Sequence, residues 1–486
     1  MIIDYDIVIV GLGPVGGTLA NLLGLNGLSV LVLEREASLY NLPRAVHFDD
    51  EIMRVFNTIG IANKISKKLI INKGTKFLDE KEKLILDWPR PKKITENGFY
   101  PSYRFHQPDL ERSLRLKLKK IENIDIKQNS TVERITNKDD FVEVGYLDTN
   151  TNKKYITNTK YVVGCDGGRS FVREHINSKM EDLGFRQKWV VIDVILKSNK
   201  IHLPDRTIQY CNSDRPATYC RNVGKRRRWE VALKENENYE NFFKEENLWN
   251  FLNQWVTKDE VDIERKTIYT FQSAIAKKWR HGRIFLAGDA AHLTPPFMGQ
   301  GMCAGIRDVS NLAWKLALSC KNGHNQKLLD SYQTERSPNV RDYINTTMKM
   351  GELLNAIGST NVSDTTFMQS DGTIKMETIK PALGKGLGFN KDINRGKVFP
   401  SVMSKDGDSF DKFFDKETII IADQNIIETI KDINIPIFSS IDFPELKRIL
   451  DFFKSKALII RPDRYILGSL NNFDNKKYIE KVIECL

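Results

Sequence analysis

The sequence predicts an α/β fold: a dinucleotide-binding domain on a parallel sheet, a β-sheet domain inserted into it, and a small α/β domain at the C-terminal end. Three observations carry this. Residues 5–33 read as strand, glycine-rich turn, helix and strand; residues 184–275 hold a series of β-rich runs; and from about residue 396 the pattern returns to strand, helix, strand.

The bulk numbers agree. A chain of 486 residues exceeds one ordinary core and points to two or three domains. With 41% hydrophobic and 28% charged residues it reads as globular rather than disordered. No apolar run is long enough for a membrane span. The N-terminus enters a strand pattern at once, without the basic and apolar regions of a signal peptide. Cys165, Cys211, Cys220, Cys303, Cys320 and Cys485 form no C-x-x-C pair and no metal-ligand spacing. No metal is therefore expected, and reduced thiols point to the cytoplasm. The net charge is +11, but Lys225-Arg226-Arg227-Arg228 is the only tight basic run. Nucleic-acid binding, which needs a clustered basic face, is not expected, and Arg226, Arg227 and Arg228 read as a solvated face.

Taken in order, Tyr5 to Val10 is apolar enough for a buried parallel strand. Val15 to Leu25 has helical period, Gly27 reads as its stop, and Ser29 to Leu33 is the second strand. Helices are expected at 49–60, starting near Asp49, and at 108–120, where Asp109 and Glu111 open and Lys117, Lys119 and Lys120 close. Residues 131–163 give three short strands with Asn- and Asp-rich turns. In the inserted sheet the strands are placed at 190–197, 207–211, 217–222 and 228–233. A buried strand at 283–287 is followed by helices at about 301–320 and 329–355. Residues 357–395 read as a connection.

Three motifs carry chemistry. In Gly11-Leu12-Gly13-Pro14-Val15-Gly16, Gly11 permits a tight turn, Gly13 lets backbone approach a pyrophosphate, and Gly16 lets helix and strand pack closely. The helix start offers free N–H groups to phosphate, and Glu34 ends the next strand where an acid holds an adenosine ribose. This fingerprint does not separate NAD from FAD. The second motif, Gly164-Cys165-Asp166-Gly167-Gly168-Arg169-Ser170, closes a strand where α/β sheets bind ligands. The third is Gly288-Asp289-Ala290-Ala291-His292-Leu293-Thr294-Pro295-Pro296-Phe297-Met298-Gly299-Gln300-Gly301. Its acid suits sugar-like hydroxyls, and the helix after it aims a positive dipole end at its ligand. His292 within it reads as structural.

These motifs, in this order, resemble the class A flavoprotein monooxygenases, the single-component aromatic hydroxylases. The run from Gly282 to Gly301 is highly specific for them, and Pro43-Arg44-Ala45 and Phe105-His106-Gln107 look like further FAD contacts. Pro43 to Glu51 and Arg227-Arg228-Trp229-Glu230 make the chain most similar to the 3-(3-hydroxyphenyl)propionate hydroxylase group. Leu458-Ile459-Ile460-Arg461-Pro462-Asp463 resembles the end of the thioredoxin-like C-terminal domain of that group and of the phenol hydroxylases. The resemblance implies a Rossmann-type FAD-binding domain of the p-hydroxybenzoate hydroxylase kind at 1–71, 103–183 and 276–390. It implies a β-sheet substrate domain at 72–102 and 184–275, and a thioredoxin-like domain, without redox cysteines, at 391–486. It also implies a homodimer.

By the same resemblance, FAD is held by Gly11, Gly13, Pro14, Val15 and Gly16, with Glu34 and Arg35 at the adenosine. Arg44 and Gln107 contact its phosphates and sugar, Asp166 helps hold it, and Gly288 and Asp289 bind its ribitol. Pro295 faces the isoalloxazine and the substrate, with Gly299, Gly301 and Met302 along the pyrimidine edge. NADH or NADPH binds transiently as reductant, and O2 is then delivered to a phenolic ring through a flavin C4a-hydroperoxide. A proton acceptor near the ring hydroxyl would help. His47 is the candidate, at a position where the family often has a small residue; a packing or FAD-contact role is the alternative. Tyr210, Tyr219 and Arg221 lie on strands that line the ring pocket in the family, where Arg can pair with a carboxylate and Tyr with a phenol. The same motifs serve natural-product (polyketide-type) hydroxylases, epoxidases and non-catalytic FAD-binding proteins. The Gly-x-Trp-x-Trp-x-Ile-Pro run of flavin halogenases is absent.

Overall fold

The protein is described from a computed structural model covering residues 2–212, 214–234, 237–356, 379–388, 391–402, 410–414, 417–470, 479–481 and 484, with side chains from 352 to 356 left aside. Its strands sort into three main sheets and one small one. The first has eight strands, and Tyr5–Val10 is central, parallel to Val30–Leu33 on one side and to Lys153–Gly164 on the other. Ile284–Leu286 and Ile124–Lys127 extend it in parallel. An antiparallel pair, Ser130–Asn137 and Val142–Asp148, lies along Lys153–Gly164. Ile7, Val8, Ile9, Val30 and Val32 have no exposed surface, because the central strands are covered on both faces. Helix Pro14–Leu25 ends at Asn26, and Gly27 takes the left-handed turn (φ +81°) that lets the chain reverse.

The second sheet, also of eight strands, is antiparallel apart from one pair. Its two longest strands, Met180–Leu196 and Val261–Ala276, pair antiparallel along most of their length. Beside them stand Arg226–Ala232, Ala217–Arg221 and Thr207–Tyr210, then Gly74–Leu78 and Leu84–Pro89. The expected strands are there, and Met180–Leu196 begins earlier than its apolar run implied because its first half is polar and half-buried. One face packs Tyr219, Trp229 and Val231 against helix Glu245–Leu252. A small sheet is formed by His47–Asp49, Ser102–Arg104 and Ile70–Ile71.

Helix Asp50–Ile59 is capped by Asp49, whose carboxylate accepts from the Ile52 N–H (3.2 Å). Helices Gly301–Asn322 and Gln326–Ala356 follow the third motif, and the second keeps Pro338 inside it. Of the expected connection at 357–395, residues 357–378 and 389–390 lie outside the described residues. The C-terminal sheet has the order Ile437–Ser439, Ile419–Ala422, Ala457–Ile460, Ile466–Leu470: a parallel pair joined by helix Gln424–Ile430, then an antiparallel hairpin. This is a thioredoxin-like strand order. Five cysteines among the described residues are free; Cys485 lies outside them. Among the described residues no helix is long and apolar enough to cross a membrane, and no His/Cys/Asp/Glu group could hold a metal ion.

Candidate active site

The glycine turn comes first. Gly11 has φ +99°, and a Cβ there would lie 2.6 Å from the Cys165 carbonyl oxygen. A Cβ on Gly16 would lie 2.0 Å from the Gly11 oxygen, whereas one on Gly13 would meet nothing within 4 Å. Gly11 and Gly16 are therefore packing glycines, and Gly13 is the bare one, facing open space. No side chain caps helix Pro14–Leu25, so its first-turn amides are left for a ligand. Glu34 accepts from the Leu12 N–H (2.6 Å) and the Glu36 N–H (2.9 Å), which fixes its carboxylate at the strand end.

Gly11, Gly13, Pro14 and Glu34 line an outer cleft of about 220 Å³, together with Arg35, Arg44, Gln107 and Asp166. Gln107 accepts from the Ala45 N–H (2.7 Å) and donates to Glu111, so it pins the Pro43–Ala45 turn to helix Gln107–Leu118. Asp166 turns its carboxylate into its own loop, accepting from the Ser170 hydroxyl (2.5 Å) and the Val172 N–H (3.1 Å). It shapes the cleft rather than reaching across it.

An inner cavity of about 360 Å³ shares Gly13, Pro14, Arg44, Gln107, Cys165 and Gly167 with the cleft, so the two form one channel. Val15, Asp289, Gly299, Gly301 and Met302 line the inner part. Asp289 has no hydrogen-bond partner among the described residues. Its surface opens onto the cavity rather than bulk water, and the surrounding protein raises its carboxyl pKa by desolvation, against His292 and Arg44. Gly288 lies outside the lining: its left-handed turn (φ +62°) packs on Val15. Pro295 is likewise buried away from the cavity, and its neighbour Pro296 takes the lining position. His292 is structural, its Nε2 2.6 Å from Asp308 at the buried start of the motif loop.

His47 does line the inner cavity, but its ring is committed. Nε2 lies 2.8 Å from the Ser102 hydroxyl, which also accepts from Asn72, and Nδ1 lies 3.3 Å from the Gly299 oxygen. Burial, with Arg104 and Arg90 nearby, holds its pKa down to about 3 against a smaller raising effect of Asp49. A neutral imidazole with both nitrogens bonded is a poor proton acceptor, and it serves to hold the Gly299 turn (φ +65°).

The expected ring-pocket residues fall on the wrong face of the right strands. Tyr210 accepts from Trp255 (2.7 Å), and Tyr219 donates to the Pro204 oxygen (3.0 Å) and packs on Trp229, all on the far side of the sheet. Arg221 pairs with Asp205 over a separate surface cavity. Side chains alternate along a strand, so the cavity receives their neighbours instead: Gln209, Thr218, Cys220, Arg228 and Glu230. Phe77, Trp88, Phe297 and Met298 give this chamber apolar walls, and Arg90 and Arg104 add positive charge. Arg228 is not solvated as expected. It is 3% exposed, bonded to Asp193 (2.7 Å) and to the Arg44 (2.8 Å) and Pro43 (3.1 Å) oxygens, and so ties the second sheet to the channel wall.

The channel suits FAD. It joins an acid in the outer cleft, a bare glycine shared by cleft and cavity, a carboxylate in the inner cavity without a hydrogen-bond partner among the described residues, and a second uncapped helix start at Gly301. A family model described as "FAD binding domain" matches residues 4–347. Among curated relatives, a probable NADH-specific resorcinol 4-hydroxylase of Rhodococcus jostii is 38% identical over 352 residues, covering 72% of this chain and 65% of that protein. A 3-(3-hydroxy-phenyl)propionate/3-hydroxycinnamic acid hydroxylase of Burkholderia cenocepacia is 34% identical over 350 residues, 72% of this chain and 64% of that one. The chain thus spans slightly under two thirds of these relatives' length. Among solved structures, aklavinone-11 hydroxylase with FAD and aklavinone superposes with TM-score 0.79 at 20% identity over 100% of both chains. The flavin-dependent monooxygenase PieE gives 0.81 at 16%, covering 100% of this chain and 99% of its own. At these identities the structures speak for the fold alone.

Proposed function

This chain belongs to the FAD binding domain family, and from that premise we propose that it is a monooxygenase that hydroxylates a phenolic ring with NADH or NADPH and O2. The observation that carries the reading is the single channel from Glu34 to Gly301, opening at its inner end onto an aromatic-walled chamber with polar groups on the sheet face. When bound there, FAD supplies the electron transfer and oxygen activation that side chains cannot. The residues do the rest. Gly13 and the first-turn amides of helix Pro14–Leu25 take the pyrophosphate, Glu34 a ribose hydroxyl, and Asp289 the hydroxyls of the ribitol. The start of helix Gly301–Asn322 favours negative charge at the ring's far edge. Arg228 and His47 hold the Pro43–Ala45 and Gly299 segments that close the walls and exclude water.

The name of the Rhodococcus relative favours NADH as the reductant. The reading carries with it a cytoplasmic location, consistent with free thiols, and a homodimer, which rests on the resemblance. It also keeps the three-domain division given above, supported by the sorting of most strands into three main sheets. The test is NADH consumption by the purified yellow protein against a panel of phenols, with product mass recorded. One compound should raise oxidation many-fold and gain a single oxygen. If FAD is bound and no phenol stimulates oxidation, phenol hydroxylation fails and larger polycyclic substrates become the reading.

A further inference from the structure

Hydroxylation of a phenol gains from a group that takes the ring hydroxyl's proton, and His47 is already engaged on both nitrogens. Two carboxylates line the inner cavity, Asp289 and Glu230. Asp289 belongs to the cofactor channel. Glu230 stands on Arg226–Ala232, in register with Thr218 on the neighbouring strand. Thr218 in turn donates to Gln209 (2.7 Å) on the next strand, so the three form a polar strip across the sheet face. The Glu230 side chain is 13% exposed, and its one polar contact among the described residues is a long one, 3.5 Å to Arg228. Arg228 is mostly taken by Asp193 and the channel-wall carbonyls. Glu230 therefore keeps open acceptor positions inside a chamber walled by Phe77, Trp88 and Phe297.

We propose that Glu230 accepts the proton of the substrate's ring hydroxyl, a role that rests on the phenol reading above. The O–H bond of the ring breaks, its proton passes to the carboxylate, and a phenolate and a neutral carboxylic acid result. The proton returns to the ring oxygen as product leaves. The surroundings suit both states. Burial raises the Glu230 carboxyl pKa, with Arg228 and Arg104 opposing and Asp193 adding, which moves it toward the working pH of a base. Arg104, 8% exposed with a buried Nε that has no hydrogen-bond partner, supplies positive charge in the same chamber for a phenolate.

The test is a binding experiment on the FAD-loaded protein, read from the change in flavin absorbance, with phenol and its methyl ether anisole as probes. Anisole has no proton to give and leaves the buried carboxylate unsatisfied, so the wild type should prefer phenol by on the order of 10-fold. Glu230→Gln should bring the two affinities within about twofold while FAD stays bound, because the amide can donate to an ether as well as accept from a phenol. Glu230→Asp keeps the acceptor and should keep the preference. If Glu230→Gln still prefers phenol as strongly as the wild type, the assignment is overturned. If no compound of the phenol panel, phenol and resorcinol included, perturbs the wild-type flavin, the phenol reading falls, and this proposal with it.

Discussion

Gly13 and Gly16 belong to one fingerprint, but the structure gives them different work, and single methyl groups separate the two. Gly13 has φ −75° and ψ −170°, extended backbone that any residue adopts, with no atom within 4 Å of where a Cβ would stand. Gly13→Ala should therefore cost the apoprotein nothing, and restricting the unfolded chain should add about 0.4–1 kcal/mol. That methyl projects into the channel where the pyrophosphate must meet the helix amides. Losing charge-assisted hydrogen bonds worth about 1.5–3 kcal/mol corresponds to roughly 10- to 100-fold weaker FAD binding. Gly16→Ala instead drives a Cβ to 2.0 Å from the Gly11 oxygen, backbone against backbone. The turn and helix must separate, at about 1–3 kcal/mol or more, before any cofactor is present. The assay is thermal melting of FAD-stripped protein, then FAD titration by flavin fluorescence. Gly13→Ala should melt no lower than the wild type and bind FAD weakly; Gly16→Ala should melt several degrees lower. Gly13→Ala binding FAD at wild-type affinity would refute the assignment of the bare glycine to the pyrophosphate.

Three more outcomes follow from the geometry. His47 has a folded pKa of about 3 against 6.5 when free, so between these values the unfolded chain holds a proton the folded one does not, and stability falls as pH falls. From pH 7 to 5 the wild type should lose about 2 kcal/mol more than His47→Gln, read from urea midpoints, and equal slopes would show that His47 is not buried neutral. Once a turnover substrate is in hand, Thr218→Val should change kcat/KM at least severalfold, whereas Tyr219→Phe should leave it within about threefold and cost only about 1 kcal/mol of stability from the bond to Pro204; the opposite order would put the cavity on the other sheet face. Tyr465→Phe removes a hydroxyl that donates to Glu51 at 2.6 Å and should cost about 1.5–3 kcal/mol in denaturant unfolding, with FAD released faster. Unchanged unfolding would remove Tyr465 from the support of the channel.

What the sequence made legible was whatever the backbone itself dictates. Strand, turn and helix at 5–25 need particular residues at particular steps, so the fold class and the position of the channel could be read before any coordinates. Strand parity could not. Ala217–Arg221 is buried at four of its five positions, so no apolar-polar alternation marks which face meets the cavity, and an offset of one residue selected Tyr210, Tyr219 and Arg221. A signal was available in Arg228 and Glu230, two charged residues spaced by two in a run otherwise rich in buried residues. Charges are seldom placed inside a sheet without a partner or a function. Pro295 was displaced to Pro296 for a plainer reason: a loop has no period, and which of two adjacent prolines faces the cavity depends on packing far away in sequence. His47 was located by motif position, but its ionisation depends on Ser102, Gly299 and Arg104, which pattern alone cannot bring together.

The C-terminal segment shows why distant sequence belongs to the site. Arg461 reaches Glu335 (2.9 Å), which also takes Lys315 (2.7 Å), and Asp463 accepts from Asn311 (3.3 Å), so one turn of the C-terminal sheet is bonded to both long helices. Arg464 meets Asp411, which pairs with Arg54 (2.6 Å) on helix Asp50–Ile59. Tyr465 reaches Glu51, Glu51 reaches Arg307 (2.6 Å), and Arg307 reaches Asp49 (2.6 Å) and Gln300 (3.1 Å), one residue from the Gly299 turn that His47 holds. Buried ion pairs contribute little net stability, because desolvation offsets their attraction, but their geometry is exacting. A chain of them fixes where one element stands relative to another. In a thioredoxin-like unit that carries no C-x-x-C, this gives the run Arg461-Pro462-Asp463-Arg464-Tyr465 a physical reason. It holds the strand before helix Asp50–Ile59 and the start of helix Gly301–Asn322 in register, and these two segments form the inner end of the channel.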